Sequence, residues 1–182
     1  YEMWCCLVGS EMCISDRLQK LNNLKYPTLA VIKGAAFGGG VGLISCCDIA
    51  LASENSIFSL SEVKVGLIPA TISPYVINAI GARNARRLFT SGERFDSNIA
   101  KQINLVHEIA KEEDLEKRIS YFINHFKQNG PQAVIAAKKI VLDIFNKEID
   151  DSVISHTCEV ISALRTSKAV SYTHLRAHET TP

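Results

Sequence analysis

A glycine-lined junction, Gly34-Ala-Ala-Phe-Gly38-Gly39-Gly40-Val-Gly42, restricts what this chain can fold into more than any other feature. Before it, Thr28-Leu-Ala-Val-Ile-Lys33 reads as a short buried strand. After it, Val41 to Cys47 reads as an apolar helix closed before Asp48. Glycines let a backbone approach a ligand without a Cβ, and they take positive φ. The first turn of a helix leaves several N–H groups without backbone partners, and with the positive end of the helix dipole these favour negative charge. Such a corner can hold a phosphate, or an oxyanion that exists only in a transition state. On the loop alone, plain close packing of helix on strand stays open as the structural alternative. Two known glycine loops do not fit. A P-loop needs Gly-Lys-Ser/Thr, and Val41-Gly42-Leu43 stands there. A dinucleotide fingerprint begun at Gly38 needs glycine at 43, where Leu43 stands.

The pattern on either side extends this unit. Leu18, Leu21 and Leu24 suit the end of a helix before Pro27. Ile49–Ala52 and Ile57–Leu60 are further strands, with Asn55 in the turn between them. Thr71–Ile80 is helical and stops at Gly81; Arg83–Phe89 is helical and stops before Gly92. Asp96 is an N-cap for a short helix through Ile103, Asn104 suits the left-handed C′ position, and Leu105–Ile109 is a short strand. The remainder reads as helices only. Leu115, Ile119, Phe122, Ile123 and Phe126 share one face. Gly130-Pro131 starts a second helix lined by Val134, Ala137, Val141, Ile144 and Phe145. Val153, Thr157, Val160, Ile161 and Leu164 line a third. Alternating strand and helix followed by helices alone predicts an α/β core, residues 17–110, and a helical C-terminal subdomain, residues 111–169.

A formal net charge of +1 gives no electrostatic reason to expect nucleic acid or an anionic membrane as partner. No apolar run reaches the roughly 20 residues that span a bilayer, and no signal-peptide pattern is present. The six cysteines form no C-x-x-C ligand set. They read as small buried residues of a reducing compartment, so the expected location is cytoplasmic. His107, His125 and His156 are scattered and read as structural or surface residues, and no metal constellation emerges. Lys138-Lys139 reads as a solvated helix face, and Asp48 as the end of a helix.

Both ends look foreign. Leu7 to Asp16 and Val170 to Thr180 resemble translations of the two strands of one sequencing-library adapter. Residues 1–16 and 170–182 are therefore expected to be non-native tails, and His174 and His178 are set aside as ligands.

Glu62, in Leu60-Ser61-Glu62-Val63 just after a strand, would by itself read as a solvated carboxylate. Its setting changes that. The run from Pro27 to Ala50 resembles the signature of the crotonase (enoyl-CoA hydratase/isomerase) family. The spacing to Phe58-Ser-Leu-Ser-Glu62-Val-Lys-Val-Gly-Leu-Ile-Pro69 agrees, as do Ile80-Gly81, Arg86-Arg87, Thr90-Ser-Gly92, Phe95-Asp96 and Leu105-Val106. The wording of Ala35–Asp48 and Ile68–Pro74 is most similar to bacterial hydratases of branched enoyl-CoA thioesters, such as methylglutaconyl-CoA and carboxygeranoyl-CoA hydratases.

The resemblance implies a crotonase-like spiral of ββα units, here partial, followed by a helical region, with trimers pairing into hexamers. It implies an acyl-CoA thioester as substrate and no separate cofactor, coenzyme A being part of the substrate. By motif position Gly39 supplies one of two N–H donors to a thioester enolate, and the other donor lies in an upstream loop outside this chain. Gly38, Phe37, Ala36 and Pro69 fall at substrate-binding positions. Family hydratases commonly use two glutamates to manage water; the first matches Gly42 here and the second Glu62. That departure puts the two-carboxylate scheme in doubt, since a single carboxylate at the Glu62 position also serves the family's enoyl-CoA isomerases. A third expectation is that this chain is an inactive, partly folded fragment that exposes apolar surface.

Overall fold

A computed structural model of the chain describes residues 13–166. Most of both adapter-like stretches, with His174 and His178, lies outside the described residues. Residues 13–22, which include the last part of the first stretch, form helix α1.

The chain divides into two compact units, one running to Ile119 and the other starting at Ser120. In the first unit, the strands form two small sheets. Strands β1 (Leu29–Ile32), β3 (Ile49–Ser53) and β6 (Glu108–Ala110) form one parallel sheet in the order β1-β3-β6. Strands β2 (Ala35–Phe37), β4 (Ile57–Ser59) and β5 (Arg94–Asp96) form the other, with β2 parallel and β5 antiparallel to β4. Strands β1 to β4 thus alternate between the two sheets, β5 stays in the second and β6 returns to the first. The chain turns from sheet to sheet at Gly34, whose φ of 84° favours glycine. It turns again between β3 and β4. Buried serines satisfy the carbonyl groups exposed at these corners. Ser56 Oγ donates to Ile32 O, and Ser97 Oγ donates to Ser53 O.

Helices α2 (Gly39–Ser45) and α4 (Ser97–Gln102) pack on these strands, and α3 (Ser73–Ser91) packs on α2. The core joins Leu18, Val41, Ile44, Phe58, Leu60, Ile72, Val76, Leu88 and Phe95, with the Phe58 and Phe95 rings stacked at 5.6 Å. Asp48 does more than end a helix. Its carboxylate accepts from Thr28 N and Thr28 Oγ1, while its own N–H donates to Thr28 Oγ1, so the starts of β1 and β3 are clamped together.

The expected helix break at Gly81 is present as a kink inside α3, where Gly81 has φ 76° and ψ 155°. Asp96 caps α4 by accepting from Ile99 N, and Asn104 takes φ 67°. The strand expected over Leu105–Ile109 begins later, at Glu108. Leu105 and Val106 instead donate to Ala100 O at the end of α4, so they finish the helix rather than join the sheet. Strands β2 and β5 were not expected. Each has three residues, too few for a period of two to register.

Helix α5 (Leu115–Gln128) runs across the boundary between the units. The second unit also contains α6 (Pro131–Ile144) and α7 (Asp151–Arg165). Pro131 sits in the first turn of α6, and Asp150 caps α7 by accepting from Val153 N. Ala133, Ala137 and Ile140 of α6 face Val160, Ile161 and Leu164 of α7 across an apolar groove. His156 Nε2 meets Asp143 Oδ2 at 3.2 Å, which links the two helices at a polar point. No helix among the described residues is long and apolar enough to cross a membrane.

Candidate active site

The glycine junction becomes a corner at the C-terminal ends of β2 and β4. Gly38 N donates to Ser59 O at 2.9 Å, which extends the parallel β2–β4 pairing by one residue. Gly38 then turns with φ 49° and ψ −112°, a conformation open in practice only to glycine, and caps α2. Val41 N and Gly42 N both donate to Gly38 O. The N–H groups of Gly39 and Gly40 precede the first intrahelical bond and have no protein acceptor among the described residues. Gly39 is exposed, and nothing lies within 4 Å of the place its Cβ would occupy.

Glu62 reaches the same corner from β4. Leu60 is fully buried, and the chain then tightens into a short 3-10 turn over Glu62–Val65. Leu67 N donates back to Glu62 O, and Gly66 closes the turn at φ 75°. This holds the carboxylate against Gly38. A Cβ on Gly38 would lie 2.9 Å from Glu62 Oε1 and 3.4 Å from its Cδ. Glu62 Oε2 is buried and has no hydrogen-bond partner among the described residues. An unsatisfied buried carboxylate oxygen is unfavourable for folding, which is why such atoms cluster where a ligand or a proton completes them.

The structure thus brings Gly38, Gly39 and Glu62 together. The other expected substrate-binding positions are placed differently. Ala36 turns its side chain into the core, in register with Phe58. Phe37 faces the opposite side of the sheet, half exposed, with the Arg94 guanidinium 5.6 Å from its ring centre. Pro69 is buried on the segment leading to α3.

Sequence reasoning noted the glycine at position 42 but not its neighbour. A Cβ there would lie 2.3 Å from Ile72 Cγ2 and 2.7 Å from Ile72 Cβ. Nothing in the spacing of Gly42 and Ile72 signals this contact. Among the described residues no group of three or more His, Cys, Asp or Glu side chains could hold a metal ion. The Cys46 thiol, the buried member of the adjacent pair, is pushed up to about 12 by burial and then by Cys47. It is therefore held as a neutral thiol rather than a nucleophile.

One parallel and one mixed sheet flanked by helices, with the Glu62 carboxylate beside an open helix start, define an α/β fold. Residues 10–169 match the enoyl-CoA hydratase/isomerase family, and the chain belongs to it. It is 37% identical to an enoyl-CoA hydratase from Shewanella pealeana whose crystal structure superposes with a TM-score of 0.90, covering 94% of this chain and 64% of that one. Enoyl-CoA hydratase ACTT6 of Alternaria alternata is 33% identical over 145 residues, covering 78% of this chain and 49% of that protein. The mitochondrial Delta(3,5)-Delta(2,4)-dienoyl-CoA isomerase of Dictyostelium discoideum is 34% identical over 136 residues, covering 74% and 46%. The chain spans about half the length of these two curated relatives.

Proposed function

We propose that the protein carrying this segment adds water across the double bond of an α,β-unsaturated, branched acyl-CoA thioester. Glu62 acts as the acid/base, and the Gly39 N–H is one of two donors to the thioester oxygen as enolate charge develops. The observation that carries this reading is the buried, unpartnered Oε2 of Glu62, held against Gly38 one residue from an N–H that has no protein acceptor. A donor of this kind is worth about 3–4 kcal/mol of transition-state stabilisation in comparable sites. General acid/base assistance contributes roughly 10²–10⁴-fold. Coenzyme A enters as part of the substrate, the family resemblance suggests assembly as trimers or hexamers, and the cysteine usage suggests the cytoplasm.

The test is Glu62→Gln in a full-length protein containing this segment, assayed for hydration of an enoyl-CoA thioester. The expected loss is about 10²–10⁴-fold, and undiminished hydration would remove Glu62 from the mechanism.

A second reading, double-bond isomerisation by Glu62 alone, is favoured by one observation. Position 42, which the resemblance aligns with a second carboxylate, is glycine packed against Ile72. Product analysis in isotopically labelled water separates the two readings. Incorporated oxygen means hydration, and a shifted double bond without added oxygen means isomerisation.

A further inference from the structure

We propose that Ile72 is a specificity-determining residue that confines this site to one carboxylate, because positions 42 and 72 share a single side-chain volume. The proposal rests on the reading of Glu62 given above and adds to it a residue outside the glycine motif. Gly42 lies in the middle of α2, fully inside the first unit. A Cβ at position 42 would meet Ile72 Cγ2 at 2.3 Å, Ile72 Cβ at 2.7 Å and Leu18 Cδ2 at 3.7 Å. The first two distances are shorter than side-chain carbons tolerate.

Ile72 cannot readily step aside. It is 2% exposed, and its branched Cβ leaves few rotamers. Its carbonyl accepts from Val76 N at the start of α3, and the next residue, Ser73, donates to Ala70 O. Trimming Ile72 to alanine leaves the conflict at its Cβ in place; only glycine at 72 removes it. The chain therefore carries either a side chain at 72 or one at 42. It has the isoleucine, so where a second carboxylate would project from α2, the site meets packed hydrocarbon.

A thermal-unfolding cycle on this chain tests the shared volume. Gly42→Ala should lower Tm by roughly 4–10 °C despite alanine's better helix propensity. Ile72→Gly should lower it by opening a cavity. In the Ile72→Gly background, Gly42→Ala should then raise Tm, reversing its sign. A Gly42→Ala variant with unchanged Tm, or an effect of the same sign in both backgrounds, overturns the proposal.

The functional arm uses the full-length protein with Gly42→Glu placed in the Ile72→Gly background. The expected result is a second ionisation in the pH–rate profile and a higher ratio of incorporated oxygen to shifted double bond than Ile72→Gly alone gives. An unchanged profile and ratio overturn the specificity role even if the unfolding cycle behaves as expected. Should the cycle invert while Glu62→Gln retains full activity, the reading of Glu62 fails and the shared volume stands.

Discussion

Replacing Gly38 by alanine puts a methyl group where the Glu62 carboxylate already lies. The backbone at φ 49° and ψ −112° is strained for any residue with a Cβ, at about 1–3 kcal/mol. The carboxylate must also retreat about 0.5 Å, from 2.9 Å to ordinary contact near 3.4 Å. The end of a glutamate side chain is flexible, so strain dominates the stability effect and displacement dominates the functional one. At roughly 2–4 °C per kcal/mol for a chain of this size, Tm should fall by about 2–12 °C. A misplacement approaching 1 Å at a reacting centre lowers rates by up to about 10²-fold, so activity should fall on the order of 10–100-fold. Gly39→Ala is the control. Nothing lies within 4 Å of its Cβ position, and alanine suits a helix better by up to about 1 kcal/mol. Tm should hold or rise slightly. Activity should still drop, because the new methyl projects beside the open N–H. Differential scanning fluorimetry on this chain gives the first quantity, and enoyl-CoA turnover by the full-length protein gives the second. Two results refute the reasoning: Gly38→Ala with wild-type Tm and turnover, or Gly39→Ala as destabilising as Gly38→Ala.

Two further outcomes follow from the packing. His107 Nδ1 accepts the N–H of Ala50, a residue only 1% exposed, while His107 N donates to Ala50 O. His107→Ala leaves that buried N–H unpaired, so stability should drop by about 1–3 kcal/mol and the Ala50 amide should exchange faster in hydrogen-exchange mass spectrometry. A variant with unchanged unfolding would show that water replaces the ring. Burial pushes the Cys46 thiol up to about 12, so it stays protonated at neutral pH, while Cys13 and Cys158, against the expectation of buried cysteines, are exposed. Alkylation of the folded chain followed by peptide mapping should label Cys13 and Cys158 and spare Cys46; early labelling of Cys46 would contradict its burial.

The amino-acid sequence by itself determined the parts written in local chemistry. The run Thr28–Lys33 followed by Gly34 and Gly38–Gly40 specifies strand, corner and helix start, because β-branched residues favour a buried strand and glycine takes the φ of 84° and 49° found there without a Cβ penalty. Asp96, Asn104 and Gly81 punctuate the chain through backbone conformations their side chains favour or permit, so the α4 cap and the α3 kink were legible. Glu62 was marked only by the resemblance of the Pro27–Pro69 pattern to the crotonase signature, since by itself it reads as a solvated carboxylate.

Only the tertiary structure decided what those residues meet. Strands β2 and β5 exist because β4 pairs with both, a non-local stabilisation that three-residue segments cannot announce. Leu105 and Val106 looked like strand but close α4, both donating to Ala100 O. That Glu62 Oε1 sits against Gly38, and that Ile72 fills the space beside Gly42, depends on how α2, α3 and the Glu62–Val65 turn pack. A glycine in a sequence records that a side chain is missing; the side chain that takes its place is chosen by packing between segments far apart along the chain.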